Sequence, residues 1–372
     1  MNENYGRRKY SEIIGLMDVL SIFLITYYHA YNYYRYYATV EDPFNQHIMF
    51  YMVTFGLTAF AFSSGYKLFF NHEYELGDKK FLTNYLKKRI GRLYFPYISY
   101  LSFTLIFVYI FFNIFSFQIL REIYPFLGFP PMDIGSIIKI LTLGIFPLAG
   151  HLWFLFVILI ITMIVLVVLY LSNGKVLFFV IFPALFFYFT LNIHYMQSYE
   201  ILTEIPYYVA LYAIIFLFGS YIAHLQESNE ILFDAIVLIL SVSFILSLCI
   251  IEFFPSIFSF LLNTYLKQIL INPFFLWGMT YPLFLLLIFN ILYKFNLLPI
   301  RLARIKIYTL IIYIFQYPFI IPISAWVCSK FALLNGDPLI KLIPFIVTLL
   351  TFILCIAIHF SMKQLRINRL FE

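Results

Sequence analysis

The 372 residues are 63% hydrophobic and 22% aromatic but only 11% charged, against about 25% charged in ordinary soluble domains, which excludes a water-soluble globule. Twenty-four Lys+Arg against eighteen Asp+Glu leave a formal charge of +6. On so apolar a chain this mild basicity reads as membrane topology rather than as a footprint for nucleic acid.

From the amino terminus, Met1 to Ser11 is polar and carries Arg7, Arg8 and Lys9. The apolar stretch that follows lacks a small-residue cleavage site and is too long for a signal-peptide core, so it is expected to stay as a helix. Runs of about 20 apolar residues, enough to cross a hydrocarbon core of roughly 30 Å, mark ten spans at 12–32, 47–70, 93–116, 151–172, 176–192, 206–225, 231–251, 273–293, 306–327 and 339–360. Lipid leaves no backbone group unpaired, and no alternating barrel pattern is visible. The expected fold is therefore all-α, a polytopic membrane helix bundle of about ten transmembrane helices. Residues 1–372 form one integral-membrane domain with no separate soluble domain. The long segment 117–150 reads as a re-entrant or interfacial element. Eighteen of the 24 cations fall on the amino-terminal side of this assignment, so both termini are expected in the cytoplasm. The expected location is a multi-pass position in a bacterial or archaeal cytoplasmic membrane.

Ionisable side chains within spans are costly, so each is a functional candidate. In the first span, Asp18 and His29 lie eleven residues apart, about 16 Å along a helix and about 20° from three full turns. They share a face, either as a polar stripe lining a pathway or as a buried polar group and an interfacial histidine. Around His29 stand Tyr27, Tyr28, Tyr31, Tyr33, Tyr34, Tyr36 and Tyr37, readable as an aromatic belt or as platforms for a sugar. Lys79, Lys80, Lys87, Lys88, Arg89 and Arg92 precede the third span. Positive-inside anchoring accounts for most of these, yet Arg89 and Arg92, spaced i, i+3 at an expected helix start, also suit a phosphate-rich ligand. Cys249, Cys328 and Cys355 show no CxxC and no paired spacing, so neither a disulfide framework nor a metal site is expected.

These residues resemble those of the integral-membrane acyltransferase family three, the polysaccharide O-acetylase type. Asp18 to His29 reproduces the family's first helix, a basic residue, ten positions and a histidine, except that Asp18 stands where Arg or Lys is usual. Ser64-Gly65-Tyr66 resembles its Ser-Gly-aromatic step, Arg89-Ile-Gly-Arg92 its RxxR, and His151-Leu-Trp153-Phe-Leu155 its HLWFL. Ile312 to Pro318 is similar to its aromatic-x-x-His-x-Pro run, with Gln316 in the histidine's place.

The resemblance implies transfer of an acyl group, most often acetyl, from cytoplasmic acyl-CoA (acetyl-CoA) to a hydroxyl of an extracytoplasmic or lipid-linked glycan. His29 and Asp18 would be catalytic, with His29 as general base or brief acyl carrier. Arg89 and Arg92 would hold the CoA phosphates, and His151, Trp153 and Gln316 would contact the acceptor. The implied partners are the lipid bilayer, a glycan or lipid-linked saccharide and polysaccharide-assembly proteins of the cell envelope, with no nucleic acid and no metal. Two other readings stay open: a glycan or lipid-linked-sugar transporter or flippase, and a catalytically degenerate subunit of an envelope polysaccharide system.

Overall fold

A computed structural model describes residues 3–38, 43–70, 76–114, 152–173, 175, 204–253, 273–298, 300–335 and 342–364. The elements in chain order are α1 (Glu3–Ala38), α2 (Pro43–Phe70), α3 (Lys79–Arg89), a π-helical turn (Ile90–Tyr94), α4 (Phe95–Ile114), α5 (Trp153–Leu171), α6 (Glu204–Ser228), α7 (Glu230–Phe253) and α8 (Pro273–Lys294). Then follow α9 (Ile300–Ala303), a 3₁₀ turn (Arg304–Tyr308), α10 (Thr309–Phe315), a second π-type turn (Gln316–Ile320), α11 (Ile321–Asn335) and α12 (Ile343–Gln364). The described residues contain no strand. Four helical stretches, Lys9–Arg35, Trp153–Leu171, Glu230–Cys249 and Ile343–Gln364, are long and apolar enough to cross a membrane. Every expected span except 176–192 coincides with at least part of a described helix. That range and the segment 117–150 lie outside the described residues.

The helices fall into two compact units. The first comprises Met1–Ser21, Thr54–Leu86 and Ile160–Lys306, and the second Ile22–Val53, Lys87–Leu159 and Ile307–Glu372.

In the first unit, α2 and α6 approach at two glycines. A Cβ on Gly65 would lie 1.7 Å from Phe216 O, and one on Gly219 would lie 2.2 Å from Phe62 O. Only a residue without a side chain lets the two backbones come this near, which is how small residues tighten helix packing in lipid. Ser220 Oγ donates to Gly65 O at 2.9 Å, tying the helices at the same level. Because the obstacle is backbone, it cannot swing aside. Gly65→Ala should therefore lower the unfolding free energy in detergent by at least about 1–3 kcal/mol. Gly91→Ala, where a Cβ meets nothing within 4 Å, serves as the control. Equal melting of the two variants would show that the crossing is not tight. Along α7, Ile231, Leu238, Ile239, Val242, Ile245 and Leu246 stay exposed, an apolar face suited to lipid rather than water.

In the second unit, Ala30, Tyr33 and Tyr34 of α1 pack with Ile321 and Ala325 of α11 and with Ile343 and Val347 of α12. Phe23 meets Phe345 and Phe352 of α12, with ring centroids 6.1 Å apart in each pair. Prolines interrupt two helices here. Pro318 lacks the N–H that a helix would send to position 314, and the residue before a proline is disfavoured in the helical region. Tyr317 accordingly adopts φ −132°, ψ 137°. The span expected as one rod over 306–327 is thus broken at Gln316–Tyr317. Pro96 likewise cannot donate to position 92, and just before it the Phe95 N–H bonds back five residues to Ile90 O, giving the π turn.

Candidate functional site

The sequence candidates occupy two settings along α1. In the first unit, Asp18 is buried. Its Oδ1 accepts from Ser63 Oγ at 2.5 Å, and its Oδ2 is paired with the Lys67 ammonium. Ser63 and Lys67 both lie on α2, one turn apart, so a single face of that helix engages both carboxylate oxygens. The Asp18 side chain is only 8% exposed while that of Lys67 is 41% exposed, so the acid is sealed and the cation reaches outward. On the preceding turns of α1, Lys306 Nζ sits 3.3 Å from Ser11 O. Its stem fills the notch at Gly15, where a Cβ would lie 2.6 Å from Lys306 Cδ.

In the second unit, His29 is half-buried, and its ring lies 5.5 Å from that of Tyr317 and 5.3 Å from that of Tyr28. Tyr317 is the residue before Pro318 that leaves the helix, and two hydroxyls hold it. Tyr33 Oη donates to Tyr317 Oη at 2.7 Å, Tyr100 Oη on α4 donates to Tyr317 O, and the Tyr100 ring packs edge-on against Phe315 at 5.2 Å. Beside it Gln316 is wholly buried, and its Oε1 accepts from Thr26 Oγ1 at 2.7 Å. Thr26, His29 and Tyr33 follow the i, i+3, i+7 spacing of one helix face. That face of α1 meets the broken stretch 316–317.

An imidazole thus lies against tyrosine rings at the break in the helix, and one comparison decides the family. The model of the acyltransferase domain, membrane family three, matches residues 12–362. The chain belongs to that acyltransferase family. No curated protein and no solved structure matches it.

The remaining candidates of the acyltransferase are placed unevenly. Trp153 opens α5, its ring 5.8 Å from Phe154, and Phe154 in turn lies 6.5 Å from Tyr313 of α10. The wall around Gln316 and the start of α5 are therefore neighbours. His151 lies outside the described residues. The expected helix start at Arg89 and Arg92, with free backbone N–H groups, is not what the structure shows. The helix begins at Lys79, where Asp78 caps it by accepting from Lys80 N at 3.0 Å and Phe81 N at 3.2 Å, and it runs through Arg89 into the π turn. Arg89 is half-buried and Arg92 exposed, so any anion they hold is held by guanidinium groups and not by a helix terminus.

Sequence reasoning missed Ser63, Lys67, Thr26, Tyr100 and Tyr317. Lys67 carried a usable signal, an ionisable group inside an apolar run, and the Tyr317-Pro318 pair carried another, since the residue before proline leaves the helix.

Proposed function

We propose that the acyltransferase moves an acyl group, in the simplest case acetyl, from cytoplasmic acyl-CoA to a hydroxyl of an extracytoplasmic or lipid-linked glycan, in a multi-pass membrane bundle with both termini inside. The observation that carries this reading is the placement of His29 against Tyr317 at the break between α10 and α11, in a chain whose family match spans residues 12–362. His29 takes the proton of the acceptor hydroxyl as its oxygen attacks the thioester carbon. The tetrahedral intermediate then collapses, the C–S bond breaks, and the imidazolium returns the proton to the CoA sulfur. A thioester is already activated, so a positioned base worth about 10²- to 10⁴-fold together with proximity is sufficient. The tyrosines beside the imidazole offer flat amphipathic faces to a sugar, and Trp153, with His151, would extend them. Asp18 serves by holding Lys67 in place, which puts a cation at the level of α1 where relatives carry a basic residue.

The test is purified protein in detergent with radiolabelled acetyl-CoA and a panel of glycans, in which labelled glycan is the expected product. The broken helix at 316–317 is also a feature from which carriers build substrate sites. Sugar movement across a vesicle without label transfer would favour that reading.

Arg89 and Arg92 would hold the CoA phosphates at the inner face. Removing charge-assisted hydrogen bonds worth about 1.5–3 kcal/mol each should raise the apparent KM for acyl-CoA at least about tenfold in the Arg89→Ala, Arg92→Ala double variant. Orientation in the membrane, read by labelling introduced cysteines from each side, should not change. An unmoved KM would leave the two arginines as topological anchors only.

A further inference from the structure

The lysines of α3 are sorted onto one side of it. At about 100° per residue, Lys79, Lys80, Thr83, Asn84, Lys87 and Lys88 fill one continuous arc of about 180°, and all of them are exposed. Phe81, Leu82, Tyr85, Leu86 and Arg89 fill the rest, and each is buried or half-buried. The helix carries no acid. Asp78, immediately ahead of it, is engaged in capping the first turn. α3 is thus a short amphipathic helix whose polar face holds only cations and neutral groups. The arc belongs to one continuous helix, so α3 alone sets its shape.

Each end of α3 marks a depth in the membrane. At its start, Lys79 Nζ stands 5.8 Å from the centre of the Tyr170 ring, and a Cβ on Gly77 would lie 3.2 Å from Asn173 O. Tyr170 and Leu171 close α5, a helix long and apolar enough to cross a membrane. Both are exposed, and an exposed tyrosine at the end of such a helix belongs at the lipid boundary. At its other end, Lys87 and Lys88 precede Tyr94 and Phe95, which are exposed where the apolar α4 begins. Lys88 and Phe95 are separated by on the order of 10 Å along a helix axis, and the headgroup layer is roughly 5–8 Å deep on each side of the hydrocarbon. The flexible lysine stem spans the difference. Each pair of ammonium groups therefore stands at the level of lipid phosphates.

We propose that the lysine arc of α3 binds the phosphate groups of anionic phospholipids in the leaflet it faces, the inner one in the topology proposed above. Flexible, exposed point charges spread along a helix, with no guanidinium fork on their arc, suit a fluid charged surface rather than one enclosed ligand. Each basic residue so placed strengthens binding to an anionic surface about fivefold. Arg89 lies on the opposite arc, outside this surface, and lipid binding by the lysines does not depend on the acyl-transfer reading.

The experiment follows amide hydrogen exchange by mass spectrometry in the full chain, held in nanodiscs of phosphatidylcholine alone or in equal parts with phosphatidylglycerol. Peptides covering 79–89 should exchange at least about fivefold more slowly in the mixed discs, and high salt should remove the difference. In the variant Lys79→Gln, Lys80→Gln, Lys87→Gln, Lys88→Gln, whose replacements keep good helix propensity, the slowing should vanish. In Lys79→Arg, Lys80→Arg, Lys87→Arg, Lys88→Arg it should persist. Equal exchange of 79–89 in the two kinds of disc overturns the proposal. So does slowing that survives in the glutamine variant, because an anionic surface then acts on these amides without the lysines. Loss of the slowing in the arginine variant would overturn it by showing that charge is not what the surface uses. Equal slowing by coenzyme A or inorganic phosphate in phosphatidylcholine discs would overturn it in favour of a soluble phosphate ligand.

Discussion

Replacing His29 by alanine is expected to abolish acyl transfer while leaving the protein in the membrane and folded. The ring is half-buried, and its contacts with Tyr28 and Tyr317 are edge and tilted contacts of the kind worth about 0.5–1.5 kcal/mol. Removing them loosens the wall without unfolding a bundle whose second unit is also held by the Ala30, Tyr33, Ile321 and Val347 cluster. The chemical cost is of another size. A positioned base contributes about 10²- to 10⁴-fold, and an imidazole that also carries the acyl group would contribute more, because its loss removes a covalent step. His29→Gln, which keeps most of the volume and a polar end but cannot take up a proton near neutral pH, should be as inactive as His29→Ala and closer to wild type in thermal stability. The measurement is labelled acetyl on glycan, normalised to protein that elutes as a single species in detergent. Unchanged glycan modification in either variant would reject His29 as the base.

Much of the architecture could be read from the chain, because each transmembrane helix is encoded locally. Apolar length alone locates a helix that must satisfy its backbone within itself, and this is why α1, α5, α7 and α12 fall where apolar runs stand. The interruptions were legible in principle and were read through. Pro318 and Pro96 each remove a donor, but an apolar run does not show whether a proline kinks a helix or breaks it. The start of α3 was hidden by charge: Lys79 to Arg89 is too polar to register as a span, although Asp78 ahead of it is an ordinary N-cap signal. Within the site, His29 was visible as an ionisable group in a span. Its surroundings were not, since Thr26 and Gln316 are 290 positions apart and Tyr33 and Tyr317 are 284. Pairings of that range are decided by helix packing, which no local periodicity encodes. The sequence reading treated Asp18 as a solitary departure from its family. The structure gives that departure a counterpart in Lys67.

That counterpart makes the two partners unequal under mutation. Lys67→Met should be the more damaging change, because it leaves the Asp18 carboxylate, 8% exposed, with the Ser63 hydrogen bond and the longer-range attraction of Lys306. Stranding a buried charge outright costs about 3–5 kcal/mol, and the Ser63 bond together with Lys306 places this case at or below the lower end. Asp18→Asn keeps the shape and can still accept from Ser63, and it takes the carboxylate from a lysine whose side chain is 41% exposed. Such a cation recovers solvation by turning outward, so the loss should be about 1 kcal/mol or less. Replacing both, as Asp18→Asn with Lys67→Met, should cost clearly less than Lys67→Met alone, since no charge is then buried unpaired. Thermal or denaturant unfolding of the four proteins in one detergent gives the coupling energy directly. Acyl transfer by the folded fraction separates the roles: Asp18→Asn and Lys67→Met should lower activity to a similar extent if Asp18 acts only by holding Lys67. An inactive, well-folded Asp18→Asn beside an active Lys67→Met would assign the carboxylate to the chemistry itself. Equal destabilisation by Asp18→Asn and Lys67→Met would show that Lys67 does not find water when released.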